Sequence, residues 1–208
     1  MKLSFLILLA VVAGCSSRLE NLSYSKMNIK NYYESGAYEQ DLSQIIAGIK
    51  SDFDSYKFSA KDAVIFDVDE TTLSNYKYIK TIDFGYDKEL WNKYLMEGGA
   101  EPITPVLDLY KWFLSKGATI IFLTGREEST CKATRQNLYN AGYRIFDTLI
   151  CRREADHNLK AELYKSRERE KLSGLGYRII ATIGDLNSDL EGEFTGKKYK
   201  LPNYIYSF

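Results

Sequence analysis

Ala63-Val64-Ile65-Phe66-Asp67-Val68-Asp69-Glu70-Thr71-Thr72 is the stretch whose reading decides the fold. Its four leading apolar residues, two of them β-branched, read as a short strand buried on both faces, as in a parallel sheet covered by helices. The strand runs straight into two carboxylates separated by one residue. In open α/β sheets ligands bind outside the carboxyl ends of the strands, so Asp67 and Asp69 are placed in a crevice. The bland alternative, a helix cap or a solvated turn, applies to most such pairs taken alone.

Further along, the same arrangement recurs. Ala118 to Leu123 is a second apolar run and ends in Thr124-Gly125-Arg126-Glu127-Glu128. A hydroxyl followed by glycine at a strand end suits a phosphate oxygen, although Thr124 could equally cap a helix begun by Glu127 and Glu128. Phe146 to Ile150 reads as a third strand. Leu159 to Leu175 is a charged helix, in which Lys165 is the candidate fixed cation and Lys160 the alternative. Tyr177 to Ile183 is the last principal strand and delivers Gly184-Asp185-Leu186-Asn187-Ser188-Asp189. The alternating acids suggest a calcium loop, but Leu190 stands where that loop needs glycine and Gly196 where it needs glutamate. What remains is a pair of acids at a strand end, a place for a Mg²⁺ ligand.

Asp67-Val68-Asp69-Glu70-Thr71 resembles the first motif of the haloacid-dehalogenase-like (HAD) phosphatases, and Asp67/Asp69, Thr124, Lys165 and Asp185/Asp189 follow in that family's order. Tyr38-Glu39-Gln40-Asp41-Leu42, Trp91, Tyr164-Lys165-Ser166, Gly176-Tyr177-Arg178, Gly184-Asp185 and Lys200-Leu201-Pro202-Asn203 are similar to its acid phosphatase branch, subfamily IIIB. That branch includes bacterial class C acid phosphatase lipoproteins and plant vegetative storage proteins. The resemblance implies an α/β fold, a HAD-like Rossmannoid three-layer sandwich with a parallel central sheet and a small helical cap insert. It implies an acid phosphatase in which Asp67 attacks phosphorus and forms an aspartyl-phosphate, with Asp69 as general acid and then base. Thr124, Gly125 and Lys165 would bind the phosphate. Mg²⁺ would be held by the Asp67 carboxylate, the Asp69 backbone carbonyl, Asp185 and Asp189, the last directly or through water. A 5′-nucleotidase specificity and a non-catalytic storage or binding lipoprotein are the other readings, and a phosphomutase shares the core. Asp69 argues against a dehalogenase, which needs no proton donor there.

The cap is expected over residues 74–104. Ser74 to Gly99 is dense in aromatics, Tyr76, Tyr78, Phe84, Tyr86, Trp91 and Tyr94, most of them for packing and one or two suited to stacking on an aromatic leaving group or nucleobase. Pro102 and Pro105 close it, and Val106 to Leu114 forms a helix ended by Gly117. Gly36 to Tyr56 reads as an amphipathic helix, with Tyr38, Leu42, Ile45, Ile46 and Ile49 on one face.

At the amino terminus, Lys2 and the apolar run Leu3 to Ala13 have the layout of an export signal over residues 1–14. Val12-Ala13-Gly14-Cys15 resembles a lipobox, which implies a chain acylated on Cys15, exported and anchored to a membrane, the outer one if the source is Gram-negative. Residues 15–30 read as a polar tether and 31–208 as the phosphatase domain. Formal charge cancels at 28 basic and 28 acidic residues, which argues against nucleic acid as a partner. The expected partners are a small phosphomonoester, a nucleotide among the candidates, and a membrane reached through the anchor. Cys131 and Cys151 fall at the same edge of the sheet, as a disulfide or as two buried thiols. Homodimerisation and the role of Arg126 stay open.

Overall fold

The computed structural model describes residues 20–207. The expected export signal, Cys15 and the first part of the expected tether lie outside the described residues. In chain order the elements are α1 (Leu22–Glu34), α2 (Ala37–Asp52), β1 (Asp62–Phe66), β2 (Leu73–Ser74), α3 (Tyr76–Thr81), α4 (Lys88–Glu97) and β3 (Glu101–Pro102). There follow α5 (Thr104–Ser115), β4 (Thr119–Glu127), α6 (Cys131–Asn140), β5 (Thr148–Arg152), α7 (Ala161–Gly174), β6 (Arg178–Gly184), α8 (Asn187–Leu190) and β7 (Lys197–Lys200). Among the described residues no helix is long and apolar enough to cross a membrane.

The main sheet has the order β5-β4-β1-β6-β7, and every neighbouring pair is parallel. β1 is central, paired with β4 on one side and β6 on the other, which is why all five of its residues are buried. Successive side chains of a strand point to opposite faces. Val64 and Phe66 accordingly join α2, α5 and α6 in the larger core, while Ala63 and Ile65 join Tyr164 and Leu172 of α7 on the other face. The expected three layers are thus helices, parallel sheet and helix, and the carboxyl ends of β1, β4 and β6 open on one edge.

Four features differ from the sequence expectations. Residues 22–30, expected within the tether, are helical: α1 starts at Leu22, capped by Asn21, whose Oδ1 accepts from the Ser23 N–H at 2.9 Å. This helix has no fully buried residue, so it shows no apolar period; it is held at its end by Tyr32 and Tyr33, which pack on Tyr38, Tyr76 and Tyr204. The cap is helical, as expected, and consists of α3 and α4, but it is rooted on an antiparallel β2–β3 ribbon pairing Leu73 with Pro102 and Ser74 with Glu101. Strands of two residues are too short to show alternation. β4 runs on to Glu127 with an irregular register after Leu123, so Thr124 does not cap a helix; the Thr124 hydroxyl accepts from the Arg126 N–H at 3.1 Å. A fifth strand, β7, lies at the sheet edge, where Lys-Lys-Tyr-Lys carries no apolar signal. Cys131 and Cys151 form a disulfide that ties the start of α6 to β5, with Cα atoms 5.9 Å apart.

The far end of β1 is fixed by Asp62, fully buried, whose carboxylate accepts from Arg178 Nε at 2.5 Å and from the Ser59 N–H at 2.8 Å. The Arg178 guanidinium holds its carboxyl below the usual carboxylate range. A depressed folded pKa contributes stability that is present above the unfolded value of about 3.9 and is lost as pH falls through the folded one. Asp62→Asn should therefore cost about 1–2 kcal/mol at pH 7, and the gap from wild type should narrow in urea titrations below about pH 4; a gap independent of pH would contradict this.

Candidate active site

Asp67 leaves β1 still in the sheet, its N–H donating to the Ile183 carbonyl at 2.9 Å and its own carbonyl accepting from the Thr72 hydroxyl. One turn inside α7, Lys165 is buried and reaches over the sheet edge to the Asp67 carboxylate at 2.5 Å and to the Asp189 carboxylate. Burial works against a charged lysine, but Asp189 and then Asp67 outweigh it and hold the ammonium above its ordinary pKa. Lys160, the alternative, is exposed at the N-terminal boundary of the same helix.

Asp185 follows β6 directly. Its Oδ1 accepts from the Thr71 hydroxyl at 2.9 Å and its Oδ2 from the Asn203 amide at 2.7 Å. Asp189 is supported by the Leu186 N–H at 2.8 Å, and its backbone carbonyl accepts from Arg169 at 2.8 Å. Arg169 is fully buried and gathers the loop by donating also to the Glu193 and Glu191 carbonyls; burial lowers its pKa to about 10. Gly184 is required by close approach, since a Cβ there would lie 2.3 Å from the Asp189 Cβ.

Asp67, Asp185 and Asp189 each present a carboxylate oxygen, all within 4.8 Å of one another. Three buried carboxylates around one ammonium leave negative charge uncompensated. Burial pushes Asp67 well above the carboxylate range, with Lys165 opposing, and pushes Asp185 up to about 7, Asp189 and Glu70 adding to the effect. An all-oxygen, anionic donor set of this kind fits a hard divalent cation.

Asp69 stands apart from that cluster. Its carboxylate turns to Arg126, which donates from Nε at 3.1 and 3.0 Å and from Nη2 at 2.7 Å, and it also accepts from Asn75 Nδ2 at 2.8 Å. Arg126 is buried, and its Nη1 donates to the Thr134 hydroxyl of α6 at 3.1 Å. Arg126, whose role the sequence leaves open, thus binds the Asp69 carboxylate through both Nε and Nη2. Thr124 is buried at the same strand end, and Gly125 is exposed with open space around its Cα. Over this edge the cap stacks Tyr78 on Tyr94, ring centroids 4.1 Å apart, with Trp91 beside both. Tyr94 lies within electrostatic reach of Arg126, Glu70 and Asp69.

Residues 21–208 match the HAD superfamily, subfamily IIIB (acid phosphatase). The chain belongs to this family. It is 34% identical to acid phosphatase 1 of Solanum lycopersicum over 86% of its own length and 72% of that protein's. Against the stem 28 kDa glycoprotein of Glycine max it is 38% identical over 70% of its length and 60% of the relative's. Against vegetative storage protein 2 of Arabidopsis thaliana the figures are 34%, 68% and 55%. The fold is that of the class C acid phosphatase of Bacillus anthracis, solved with tungstate bound, at a TM-score of 0.72 and 22% identity over 89% of this chain and 86% of that one. The family makes the chain a phosphomonoesterase acting on small phosphate esters.

Sequence reasoning missed Thr71, Asn75, Arg169 and Asn203 as supports of this site. Thr71 and Asn203 could have been found only by knowing that the chain's two ends of the motif, far apart in sequence, meet at Asp185. If the three acids hold a divalent cation, millimolar Mg²⁺ should raise the wild-type unfolding midpoint in a thermal melt, by the equivalent of about 2.7 kcal/mol at a hundredfold excess over Kd. Asp185→Asn should lose most of that rise; a shift that survives the substitution would remove Asp185 from the site.

Proposed function

We propose that the chain is a Mg²⁺-dependent acid phosphatase that works through an aspartyl-phosphate on Asp67. The observation that carries the reading is the convergence of Asp67, Lys165, Asp185 and Asp189 at the edge where β1, β4 and β6 end. Mg²⁺ held by the Asp67 and Asp185 carboxylates and the Asp69 backbone carbonyl, with Asp189 directly or through water, would screen the repulsion between nucleophile and phosphoryl group.

A carboxylate oxygen of Asp67 attacks phosphorus, and the bond from phosphorus to the ester oxygen breaks. Asp69 delivers its proton to the departing oxygen, then as a carboxylate takes a proton from the water that attacks the phosphoenzyme, which regenerates Asp67 and releases phosphate. Lys165 offsets charge on the transferring oxygens, and Thr124 with the Gly125 backbone binds the phosphoryl group. Arg126 keeps the Asp69 carboxylate in a fixed orientation through both steps.

The stacked Tyr78 and Tyr94 with Trp91, close to Asp69 and Arg126, favour ester groups with an aromatic ring, so nucleoside monophosphates join aryl phosphates as candidate substrates. A storage role, suggested by the names of some relatives, is the second reading; an intact nucleophile beside a complete acidic cluster favours catalysis. We extend the proposal to an exported enzyme tethered through acyl chains on Cys15, supported by Lys2, the apolar run Leu3 to Ala13 and Val12-Ala13-Gly14-Cys15.

Hydrolysis of p-nitrophenyl phosphate should require a divalent cation and fall on addition of chelator, and hydrolysis of an alkyl phosphate should decline toward alkaline pH because Asp69 must carry a proton in the first step. Asp67→Asn should lower turnover by at least about 10³-fold with the fold retained by circular dichroism; near wild-type turnover would refute the nucleophile. Metabolic labelling with palmitate should mark the wild type and not Cys15→Ser, and equal labelling of both would exclude this anchor.

A further inference from the structure

The last residues of the described chain do more than close the sheet. After β7 the backbone turns back over the catalytic edge: the Leu201 N–H donates to the Gly184 carbonyl at 2.8 Å, the Asn203 side chain binds Asp185, and the Ile205 N–H donates to Asn203 Oδ1 at 2.8 Å. This places the Tyr206 hydroxyl on the Glu70 carboxylate. Glu70 is buried, at 2% exposure, and adopts a left-handed conformation with φ of 52°. That conformation reverses the chain after Asp69, with the Glu70 N–H donating to the Leu73 carbonyl at 2.9 Å.

Glu70 in turn fixes Asn75. Its Oε1 accepts from the Asn75 N–H at 2.7 Å and its Oε2 from Asn75 Nδ2 at 3.2 Å, while the same Nδ2 donates to Asp69 Oδ1 at 2.8 Å. One amide nitrogen therefore serves two carboxylates, and this dictates which way the Asn75 side chain faces. The opposite orientation would set its carbonyl oxygen against both acids. Its Oδ1 is left without a protein partner in a fully buried residue, so the orientation is held by the carboxylates rather than by what the carbonyl gains.

We propose that Tyr206 is a positioning residue for the reaction, acting through Glu70 and Asn75 on the Asp69 carboxylate. The Tyr206 hydroxyl donates to Glu70 Oε2 from the tail side; without it, the buried oxygen turns to Asn75 Nδ2 and draws that amide away from Asp69. Asp69 then keeps its contact with Arg126 but loses the second constraint on its direction. The tail thus sets the aim of the proton donor, not the binding of the phosphate. The inference rests on the reading of Asp69 as general acid.

The test compares two esters in Tyr206→Phe. An alkyl phosphate needs its leaving oxygen protonated, whereas the p-nitrophenolate of the aryl ester leaves without a proton. kcat/KM should fall about 10-fold more for the alkyl than for the aryl ester, with the KM of each held within about 2-fold, the mark of an interaction made in the transition state. Glu70→Gln should lower the same ratio, and the double variant should be no worse than the worse single one, because both act on one link. In the metal-free protein the Asn75 side-chain amide resonances should shift in Tyr206→Phe. Equal losses for the two esters, or an unmoved Asn75 amide, would overturn the positioning role and leave the phosphatase reading standing. A wild type that hydrolyses neither ester would overturn both.

Discussion

The site depends on one electrostatic constraint: Asp67, Asp185 and Asp189 are buried within 4.8 Å of each other, and Lys165 is the ammonium that touches two of them. Each buried ion carries a desolvation penalty of several kcal/mol unless it is matched by charge and hydrogen bonds. Thr71 and Asn203 supply hydrogen bonds to Asp185, and the Leu186 N–H supplies one to Asp189. Arg169 and Lys200 contribute from behind, bonding backbone carbonyls of the two acids' own segments instead of competing for their carboxylates. What such a cluster lacks is a second positive charge, and a divalent cation is the species whose chemistry answers that need.

Two distinct cationic arrangements divide the work at the sheet edge. Lys165 comes from α7, on the face where the core is thin, and addresses Asp67. Arg126 comes from the irregular end of β4 and addresses Asp69, with Asn75 as its counterpart from the root of the cap. The two acids of the first motif are therefore held in different surroundings although a single residue separates them. Different surroundings let neighbouring carboxylates take different roles, which is what the proposed division between Asp67 as nucleophile and Asp69 as proton carrier requires. The disulfide between Cys131 and Cys151 anchors the first turn of α6, the helix that supplies Thr134 to Arg126.

Much of this was legible in the sequence wherever a local pattern reports a tertiary fact. The unbroken apolar run of β1 announced a strand buried on both faces, and its acids meet Thr124 of β4, Asp185 after β6, Asp189 of α8 and Lys165 of α7 at one edge of the sheet. Other features have no local signature. α1 is held by tyrosines at one end and not by an apolar stripe; β7 is a lysine-rich edge; the β2–β3 ribbon is too short for alternation. Arg126 stood in plain view beside Thr124, but its aim depends on the bulged register after Leu123, which no residue pattern reveals. The contacts of Asn203 with Asp185, 18 positions away, and of Tyr206 with Glu70, 136 positions away, emerge only when β7 lies alongside β6. The pairing of the cysteines was open for the same reason, since it turns on the separation of two backbones.

The proposed covalent intermediate is the claim on which the chemistry turns. The most direct measurement is mass spectrometry of the acid-quenched enzyme during turnover of a phosphate ester, with digestion to locate the modification. The account predicts a phosphoryl group on the peptide containing Asp67, labile to hydroxylamine as an acyl phosphate must be. A phosphoryl group found instead on His157, the chain's one histidine, or turnover with no phosphoenzyme in Asp69→Asn under the same quench, would contradict it.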